Sequence, residues 1–458
     1  MSLMGNFLVL GAAKSGIAAA LLLKKQGAWV CVIDQHTISD DVKYVLTKQD
    51  IFFEIAEHVE NSRIFTGNFA ADWALVVSPG ISLENEFVRF AKANQRPVVS
   101  EIEVASWFLN DKTVCVGITG TNGKSTTASY TAQLLARAGK NAYACGNIGT
   151  PFSQIVMNIS KNEKAVCVLE LSSYQLETTQ SLQCVCTAIL NLQNDHLERH
   201  KTFEEYLRVK WKLALMTRAD GLFIVDAQVL QKARALGLAQ PQCKVEILNF
   251  KNNLWNVQNP CLLGDHNFAN VMCASLIARH LGVSDEIIKL QWEKQTSQYV
   301  PLPHRLERVG SFCQEFVDIQ GRKKRVVIMN DSKATNVEST LVALKSFDAP
   351  VRLLLGGKPK GDSYIPIANF TQKNIVKIYP FGAARNVILE ELNPVHEFLS
   401  KAQTCLLDAA QQALLESCDG DVILLSPACS SFDEFQNFEH RGDVFRNWAL
   451  SCCEGSSH

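Results

Sequence analysis

The sequence predicts an α/β protein of two or three domains. Its 458 residues are too many for one hydrophobic core, since single cores stop growing at about 250–300 residues. Short patterns rich in Val and Ile alternate with helical patterns along the chain, which is typical of parallel sheets covered by helices. Hydrophobic residues make up 47% and charged residues 20%, an ordinary globular composition.

Charge and cysteine content narrow the partners and the compartment. The net charge of −1 gives no field that would attract nucleic acid or an anionic membrane, so neither is expected as a partner. The 15 cysteines include no C-x-x-C pair and predict buried small side chains in a reducing compartment. No basic segment precedes the first apolar residues, and the run 17–23 is too short to cross a membrane. A cytoplasmic protein is therefore expected.

The N-terminal residues form a βαβ pattern, with a strand at 7–10, a turn at 11–16, a helix at 17–26 and a strand at 30–34. Asp34 lies about where dinucleotide folds place a ribose-contacting acid. The turn GAAKSG, however, lacks the middle glycine of that motif. We expect it to hold a different nucleotide, with Lys14 or Ser15 near a phosphate.

A further strand at 73–77 ends in Ser78-Pro79-Gly80-Ile81. Loops at the carboxyl ends of parallel strands are where α/β sheets bind ligands, which makes Ser78 a candidate contact. The alternative is a plain Pro-Gly turn.

The stretch VGITGTNGKSTT at 116–127 is the strongest functional signal. A strand at 113–118 and a helix at 125–138 flank it, so backbone N–H groups and a helix N-terminus meet at one point and favour bound phosphate. Lys124 would reach the outer phosphates, and the hydroxyl of Ser125 or Thr126 would bind Mg²⁺. The position five before Gly123 is Ile118, not the glycine of the general P-loop. An ordinary glycine-rich turn is the alternative, which GKST after GTN disfavours.

Two candidate metal ligands follow. A strand at 165–171 carries one acid, Glu170, which is costly in so apolar a strand unless it is paired or metal-bound. Glu170 is therefore a candidate Mg²⁺ ligand. The next strand, 187–192, leads into NDHLERH, where His196 is equally a metal ligand or a structural histidine on local sequence alone.

The following segment is a helix at 203–217 with Lys210 and Lys212, which the local sequence predicts to be ordinary solvated charges. Strands at 222–226 and 245–250 precede GDHNFAN, which opens another helix. Asn267 and Asn270 in its first turn share one face, where they could read a base edge or cap the helix.

The C-terminal part restarts after a Pro-Leu-Pro linker at 301–303. Strands predicted at 326–329, 351–355, 375–379 and 422–425, with helices between, indicate another parallel sheet. Polar residues concentrate in the loops 330–336, 356–361 and 426–432. Three loops at carboxyl ends of strands in one domain predict a shared cleft.

These motifs occur in a telling order: GTNGKST, NIG, ELSSYQLE, NDHLERH, GDHNFAN, LPHRLE, NDSKATNVEST, LLLGGKPKG and LLSPACSSFDEFQNFEHRG. Together they resemble the Mur ligase family, and within it the ligases that add D-glutamate to UDP-N-acetylmuramoyl-L-alanine. The NDSKATN and SPACSSFDEFQNFEHRG segments favour that branch over its sister ligases. The resemblance runs from the SPGI turn to the last helix.

The resemblance implies three α/β domains. A Rossmann-like N-terminal domain at 1–102 would bind the UDP-precursor, a central P-loop ATPase-like domain at 103–302 ATP, and a C-terminal Rossmann-like domain at 303–458 the amino acid. It also implies the reaction, a cytoplasmic step of peptidoglycan synthesis. ATP phosphorylates the carboxylate of the precursor, and the amine of D-glutamate attacks the acyl phosphate. Mg²⁺ (two ions), small-molecule partners and a monomer are expected.

The predicted site residues fall into four groups, most of which the resemblance implies. Lys124, Glu170, His196 and Lys210 match catalytic positions, with Ser125, Glu170, His196 and Lys210, as a carbamate, at the metal ions. The ATP site would comprise Gly120, Thr121, Asn122, Gly123, Lys124, Ser125, Thr126, Asn147, Asn267, Asn270, Arg305 and Asp331. For the UDP-precursor site, the resemblance implies Ser78 and Ser172, and the N-terminal βαβ pattern adds Lys14, Ser15 and Asp34. Lys333, Thr335, Lys360, Ser431 and Phe438 match the D-glutamate site.

Two other readings stay open on sequence. One is another amide ligase of the same architecture, such as a sister Mur enzyme or a folylpolyglutamate synthase-like protein. The other is a regulatory ATPase built on the P-loop, which would hydrolyse ATP without a small-molecule acceptor.

Overall fold

The computed structural model describes residues 5–66, 72–193, 195, 197–248, 254–255, 262, 265–294, 296–297, 299–317, 323–370, 374–392 and 399–454. The chain divides into two compact units, Met1–Tyr299 and Val300–His458. The first unit contains two β-sheets and the second contains one. Helices flank all three sheets, which confirms the α/β class. Among the described helices, none is both long and apolar enough to cross a lipid bilayer.

The first sheet has five parallel strands: β1 (Asn6–Leu10), β2 (Trp29–Asp34), β3 (Phe52–Ile55), β4 (Trp73–Val77) and β5 (Val98–Ser100). Its helices are α1 (Lys14–Lys25), α2 (Asp40–Lys48), α3 (Arg63–Thr66), α4 (Glu86–Ala93) and α5 (Glu101–Ser106), with a 3-10 turn at Val59–Asn61. The strand order is β3-β2-β1-β4-β5. The order reverses between β1 and β4, so the GAAKSG and SPGI turns lie side by side at a topological switch point.

The second sheet has six parallel strands: β6 (Val114–Thr119), β7 (Asn141–Gly146), β8 (Ala165–Glu170), β9 (Cys184–Ile189), β10 (Thr217–Asp226) and β11 (Lys244–Leu248). Its helices are α6 (Lys124–Arg137), α7 (Phe152–Asn158), α8 (Ser173–Glu177), α9 (Leu197–His200), α10 (Phe203–Leu215), α11 (Ala227–Ala235), α12 (Asp265–His280) and α13 (Asp285–Trp292). The order β11-β10-β9-β6-β8-β7 places β6 between β9 and β8, so three strand ends converge at the glycine-rich loop.

One hydrophobic cluster joins the two sheets of the first unit. Leu22 of α1, Val104 of α5 and Phe152 of α7 are fully buried in it, together with residues of β1, β6 and β8. Burial of large apolar side chains stabilises by about 1.5–3 kcal/mol each, so a shared cluster holds the sheets in one body. The turns of the first sheet therefore have a fixed relation to the second sheet.

The third sheet consists of β12 (Glu307–Val317), β13 (Lys323–Asn330), β14 (Val351–Gly356), β15 (Ile375–Phe381) and β16 (Val422–Ala428). Its helices are α14 (Val337–Leu344), α15 (Ile365–Ala368), α16 (Arg385–Leu392), α17 (Leu406–Glu416) and α18 (Phe438–Glu454). The order is β12-β13-β16-β14-β15, and β12 pairs antiparallel with β13. β12 is not one of the four strands predicted for this sheet, and it pairs antiparallel because it and β13 are consecutive strands without a crossover helix. The other four strands are parallel.

Candidate active site

The glycine-rich loop turns sharply between β6 and α6. Gly123 precedes the first residue of α6 in a left-handed conformation, with φ of 84°. A Cβ built there would overlap Oδ1 of Asn270 in the second turn of α12. Only glycine fits both the dihedral angle and this contact. The loop therefore runs directly against α12.

The chain after β9 fixes the conformation of this loop. The backbone N–H of Asn122 donates to Oδ1 of Asn191 at 2.8 Å, and Nδ2 of Asn191 donates to the Asn122 carbonyl at 3.0 Å. The backbone N–H of Gln193 donates to Oγ1 of Thr121 at 3.0 Å. Sequence reasoning missed Asn191 and Gln193, and the only signal for them is their place at the end of a strand next to β6.

Lys124 lies over the loop. Its Nζ donates to the carbonyl oxygens of Gly120 at 2.9 Å and Thr121 at 2.7 Å. The hydroxyls of Ser125 and Thr126 are buried in the first turn of α6, at the positive end of the helix dipole. An ammonium group, two hydroxyls and a helix N-terminus at one turn make an environment suited to phosphate oxygens and a cation.

Lys210 is buried, with 2% of its surface exposed, so the expectation of an ordinary solvated lysine is wrong. Its Nζ donates to Oγ1 of Thr119 at 3.1 Å and to the Gly120 carbonyl at 2.8 Å, and lies 4.8 Å from the ring centroid of Tyr206. Burial and the nearby Lys124 cation lower the pKa of Lys210 well below its ordinary value. The correction has a simple cause, since the face of α10 that carries Lys210 packs against the loop.

Lys212 is also withdrawn from the solvent in part. Its Nζ donates to the carbonyls of Glu177 at 2.8 Å and Leu176 at 3.3 Å, at the C-terminal end of α8. Neither lysine of this helix is therefore the free surface charge that their spacing indicated.

Glu170 ends β8, beside the loop. It pairs in register with Ile118 of β6, and Nδ2 of Asn147 donates to its Oε1 at 3.0 Å. The carboxylate is buried. Hydroxyl and carboxylate oxygens such as those of Ser125 and Glu170 are the ligand types that Mg²⁺ prefers, so the donor set fits this ion.

Three more residues were predicted at this edge of the second sheet: His196, Asn267 and Asn270. His196 lies outside the described residues. Within the part of the chain that is described, no three His, Cys, Asp or Glu side chains come together as a metal cluster. Asn267 and Asn270 do share a face of α12, and Nδ2 of Asn270 donates to Oδ1 of Asn267 at 3.3 Å.

The predicted residues of the first sheet hold the two turns together. Asp34 accepts hydrogen bonds from the backbone N–H groups of Ala12 at 2.7 Å and His36 at 2.9 Å. The Ser78 hydroxyl is buried and donates to the Gly11 carbonyl at 3.3 Å. Both groups therefore contribute to the shape of the site.

The other substrate candidates of the first unit differ in exposure. Lys14 is exposed in the first turn of α1, and Ser15 beside it is half-buried. Ser172 precedes α8 as its N-cap and forms a reciprocal capping box with Gln175.

In the second unit, Asp331 follows β13 and is buried. It accepts hydrogen bonds from the backbone N–H of Leu306 at 3.2 Å and the Ser426 hydroxyl at 3.0 Å. Burial raises the pKa of Asp331 to about 7, although the Arg305 cation acts in the opposite direction. His304 and Leu306, on either side of Arg305, adopt left-handed backbone angles, and such strain is typical of functional loops.

The loops predicted to share a cleft are joined. The backbones of Lys358 and Ser430 exchange hydrogen bonds of 2.8 and 3.1 Å. Nζ of Lys360 donates to Oγ1 of Thr335 at 3.4 Å, and Ser431 is buried in the same loop region.

Lys333 contacts an aromatic ring of α18. Its Nζ lies 3.9 Å from the ring centroid of Phe438, the first residue of α18. A cation over an aromatic face is attracted by about 0.5–2 kcal/mol. Both members of this pair were assigned to the amino-acid site by resemblance.

Comparison with known proteins identifies the chain. Residues 118–259 match the Mur ligase middle domain. The UDP-N-acetylmuramoylalanine–D-glutamate ligase of Koribacter versatilis (strain Ellin345) is 35% identical over 473 residues, covering 98% of this chain and 97% of that protein. The protein of the same name from Novosphingobium aromaticivorans is 36% identical over 458 residues, covering 96% of this chain and 93% of that protein. The chain belongs to the Mur ligase family.

Solved structures of Mur ligases share the fold. UDP-N-acetylmuramate–alanine ligase from Thermotoga maritima superimposes with a TM-score of 0.58 at 14% identity, covering 98% of this chain and 99% of that one. The MurF ligase of Thermotoga maritima, in complex with ADP, gives a TM-score of 0.56 at 14% identity, with 99% and 96% covered. The three-domain α/β architecture predicted from sequence is that of these Mur ligases.

Arg441 of this Mur ligase was not predicted. It is fully buried on α18 and donates to the hydroxyl and carbonyl of Ser332, both at 2.9 Å, and to the carbonyls of Cys429 at 3.1 Å and Ser430 at 3.2 Å. Burial lowers the pKa of Arg441 to about 10. One side chain thus joins two loops of the predicted cleft. The available signal was helical spacing, since Arg441 shares a face with the buried Phe445 and Ala449.

Proposed function

We propose that this chain is an ATP-dependent ligase that joins D-glutamate to UDP-N-acetylmuramoyl-L-alanine in the cytoplasm, a step of peptidoglycan synthesis. The observation that supports this proposal most strongly is the 35% identity with a UDP-N-acetylmuramoylalanine–D-glutamate ligase over nearly the whole of both chains. A regulatory ATPase would need only the phosphate loop. The alignment with that ligase covers 98% of this chain and so includes the first and third sheets, which a small-molecule acceptor and an amino acid require.

The reaction has two covalent steps. A carboxylate oxygen of the precursor forms a bond to the γ-phosphorus of ATP as the bond from that phosphorus to ADP breaks. The amine nitrogen of D-glutamate then bonds to the carbonyl carbon, the carbon–oxygen bond to phosphate breaks, and the amine releases a proton. ADP, phosphate and the amide are the products.

In this proposal the ATP phosphates lie at residues 120–126. The contacts of Lys124 support this placement. Its ammonium donates to two oxygen atoms of the loop, the Gly120 and Thr121 carbonyls, and the same N–H groups could donate to phosphate oxygens instead. Asn270 lies against Gly123 of this loop and is bonded to Asn267, and Asn147 is bonded to Glu170 at the end of the neighbouring strand. Arg305 and Asp331 are assigned to ATP from the second unit by resemblance.

Mg²⁺ would be held by Ser125, Glu170 and His196, with Lys210 as a carbamate serving a second ion. Bound Mg²⁺ would neutralise phosphate charge during transfer. The burial and lowered pKa of Lys210 support carbamate formation, since a neutral amine is the form that adds carbon dioxide, with loss of a proton. The carbamate would turn a buried cation into an anion beside Glu170.

The other substrates are assigned to the two remaining sheets. Lys14, Ser15, Asp34, Ser78 and Ser172 would surround the UDP-precursor. Lys333, Thr335, Lys360, Ser431 and Phe438 would bind D-glutamate. We propose domain boundaries at 102/103 and 302/303, and a monomer. The first of these boundaries falls within α5, which packs against both sheets of the first unit.

The deciding experiment is phosphate release from ATP with each substrate omitted in turn. Release should require both UDP-N-acetylmuramoyl-L-alanine and D-glutamate. L-Alanine, L-lysine and L-glutamate should not replace D-glutamate. Release without any acceptor would favour the regulatory ATPase, and release with another amino acid would favour a sister ligase.

A further inference from the structure

A charged cluster outside the residues assigned so far links the first sheet to the second. Arg199 of α9 binds both carboxylate oxygens of Glu177, with Nε at 3.1 Å from each and Nη2 on Oε2. Its guanidinium carbon lies 4.3 Å from the ring centroid of Tyr174. Nη1 donates to the carbonyl of Ile81 at 2.9 Å. The Arg199 side chain is 13% exposed and that of Glu177 10%, so little water competes with these bonds.

Ile81 connects Arg199 to the two turns of the first sheet. It closes the SPGI turn, its backbone N–H donating to the Ser78 carbonyl at 3.0 Å. Its side chain also lies against Gly11 in the neighbouring turn. Arg199 thus binds the switch point of the first sheet from an element of the second.

The position of Glu177 shows that its carboxylate does not stabilise the helix that carries it. Glu177 is the last residue of α8, where a negative charge opposes the helix dipole. Lys212 offsets this by donating to the carbonyls of Leu176 and Glu177. A buried carboxylate at an unfavourable helix end is explained by what it holds, which is Arg199.

The contacts continue to the phosphate loop. Nε2 of His200 lies 2.9 Å from the Ser173 hydroxyl, and its Nδ1 lies 3.6 Å from Oε1 of Glu177. The His200 ring is 5.3 Å from that of Tyr206, whose hydroxyl lies 3.2 Å from Oγ1 of Thr121. Ser173, His200 and Glu177 are in contact in the order hydroxyl, imidazole and carboxylate, as in a catalytic triad. Ser173 and His200 are each only 3% exposed, however, so no substrate reaches them. The cluster positions other groups.

We propose that Arg199 is a positioning residue that fixes the 78–81 turn against helices α8 and α9. It keeps the carboxylate of the UDP-precursor aligned with the ATP phosphates, an inference that rests on the proposed function. Misplacing reacting groups by about 1 Å costs roughly 100-fold in rate. Losing this link should therefore act on the precursor and on turnover, and not on nucleotide affinity.

The test uses Arg199→Lys in the full-length protein. Lysine keeps the charge opposite Glu177, so the buried carboxylate stays paired, but one ammonium cannot reproduce the planar fork to Glu177 together with the bond to Ile81. The matched control is Arg218→Lys, because Arg218 forms a bidentate pair with Asp220 on the surface of the same unit. A second variant, Arg199→Met with Glu177→Gln, removes both charges together.

We expect Arg199→Lys to raise KM for the UDP-precursor at least ~10-fold and to lower kcat/KM for it roughly 100-fold. Binding of a fluorescent ATP analogue and Tm should stay near wild type, and Arg218→Lys should change nothing. Kinetics for Arg199→Lys equal to those of Arg218→Lys would overturn the proposal. So would a parallel fall in precursor affinity, nucleotide affinity and Tm, in both Arg199 variants, which would mark a general structural role.

Hydrogen exchange of the unliganded protein separates this inference from the proposed function. Amides of residues 78–83 and 11–16 should exchange faster in Arg199→Lys than in wild type or Arg218→Lys, while those of α6 should not. If wild type shows no precursor-dependent phosphate release, the proposed function fails and the exchange result alone decides the link. Unchanged exchange in both turns would overturn it.

Discussion

The carboxyl edges of the second and third sheets hold their charged residues in opposite ways. At the second sheet, Lys124 and Lys210 both donate to the carbonyl of Gly120, and Lys210 is buried. At the third sheet, Lys360 is exposed and makes one long contact of 3.4 Å with Thr335. The buried cation there is Arg441, which binds loop carbonyls.

The difference separates two designs of a polar site. At the second sheet, the residues proposed for chemistry also hold the loop, so one substitution alters both. At the third sheet, ligand binding and loop support belong to different side chains. Substitutions at the second edge should therefore remove turnover outright, whereas those at the third should act on one substrate in graded steps.

The largest effect is expected for Lys124→Ala, which should lower ligation at least about 10³-fold while the protein stays folded. Phosphoryl transfer depends on positioned charge, and no other lysine of the loop replaces this one. The Gly120 carbonyl keeps its bond from Lys210, so the loop retains a donor. Phosphate release and circular dichroism measure the two parts. Lys112→Ala, at an exposed site before β6, is the control, and wild-type turnover in Lys124→Ala would refute the phosphate-loop assignment.

Next in size, Lys210→Ala should be nearly inactive and acetate should restore part of the activity. A small carboxylate can enter the space vacated by the side chain and supply the anion that a carbamate would provide. Acetate should not rescue Lys124→Ala, where a cation is missing. Full activity of Lys210→Ala, or equal rescue of both variants, would show that Lys210 is not carbamylated.

At the third sheet, Lys360→Ala and Ser431→Ala should each raise KM for D-glutamate by roughly 10–150-fold, which corresponds to ~1.5–3 kcal/mol for a bond to a charged group. KM for ATP and for the UDP-precursor should change much less. Arg441→Ala is the contrasting variant, because loss of its bonds to Ser332, Cys429 and Ser430 should lower Tm as well. Equal weakening for all three substrates in Lys360→Ala would contradict the division of roles.

The smallest effect concerns pH and Asp331. Its pKa in the folded protein is about 7, above the ordinary value of 3.8, so the folded state binds more protons than the unfolded state between these values. The contribution of Asp331 to stability is therefore greatest at low pH and falls as pH rises from about 4 to 7. The side chain in Asp331→Asn is neutral at every pH. Relative to wild type, the free energy of unfolding of this variant should therefore increase by about 1 kcal/mol or more between pH 5 and pH 8. Denaturant unfolding of both proteins at pH 5 and pH 8 measures this difference. The same difference in the free energy of unfolding at both pH values would contradict the prediction.

Local patterns carried most of the fold prediction. The strand, loop and helix around Lys124 are visible in twelve consecutive residues, and the spacing of Asn267 and Asn270 is enough to place them on one face. Strands β3, β5 and β7 were not predicted, because they are short or rich in small residues. The antiparallel strand β12 depends on how the chain reverses after it, which composition does not determine.

Contacts between distant residues could not be predicted. Lys210 is buried because its helix face meets the loop 90 residues earlier, at Gly120. Arg441 reaches Ser332 across 109 residues. Helical spacing indicates which face such residues occupy, but it does not say which loop they meet. Those pairings are decided by tertiary packing.

The tight fit at Gly123 has a consequence for how the sequence can vary. In a library of random replacements selected for growth, position 123 should tolerate no other amino acid, because the left-handed backbone and Oδ1 of Asn270 exclude any Cβ. Shortening Asn270 to Gly would relieve the overlap but not the dihedral angle, so the pair should not be interchangeable. Asn122 next to it makes two bonds to Asn191 through its own backbone and one from Nδ2 to Gln193, so a replacement there loses only the last of these and several residues should survive. Sequence drift in this loop is thus confined to positions whose backbones carry the contacts.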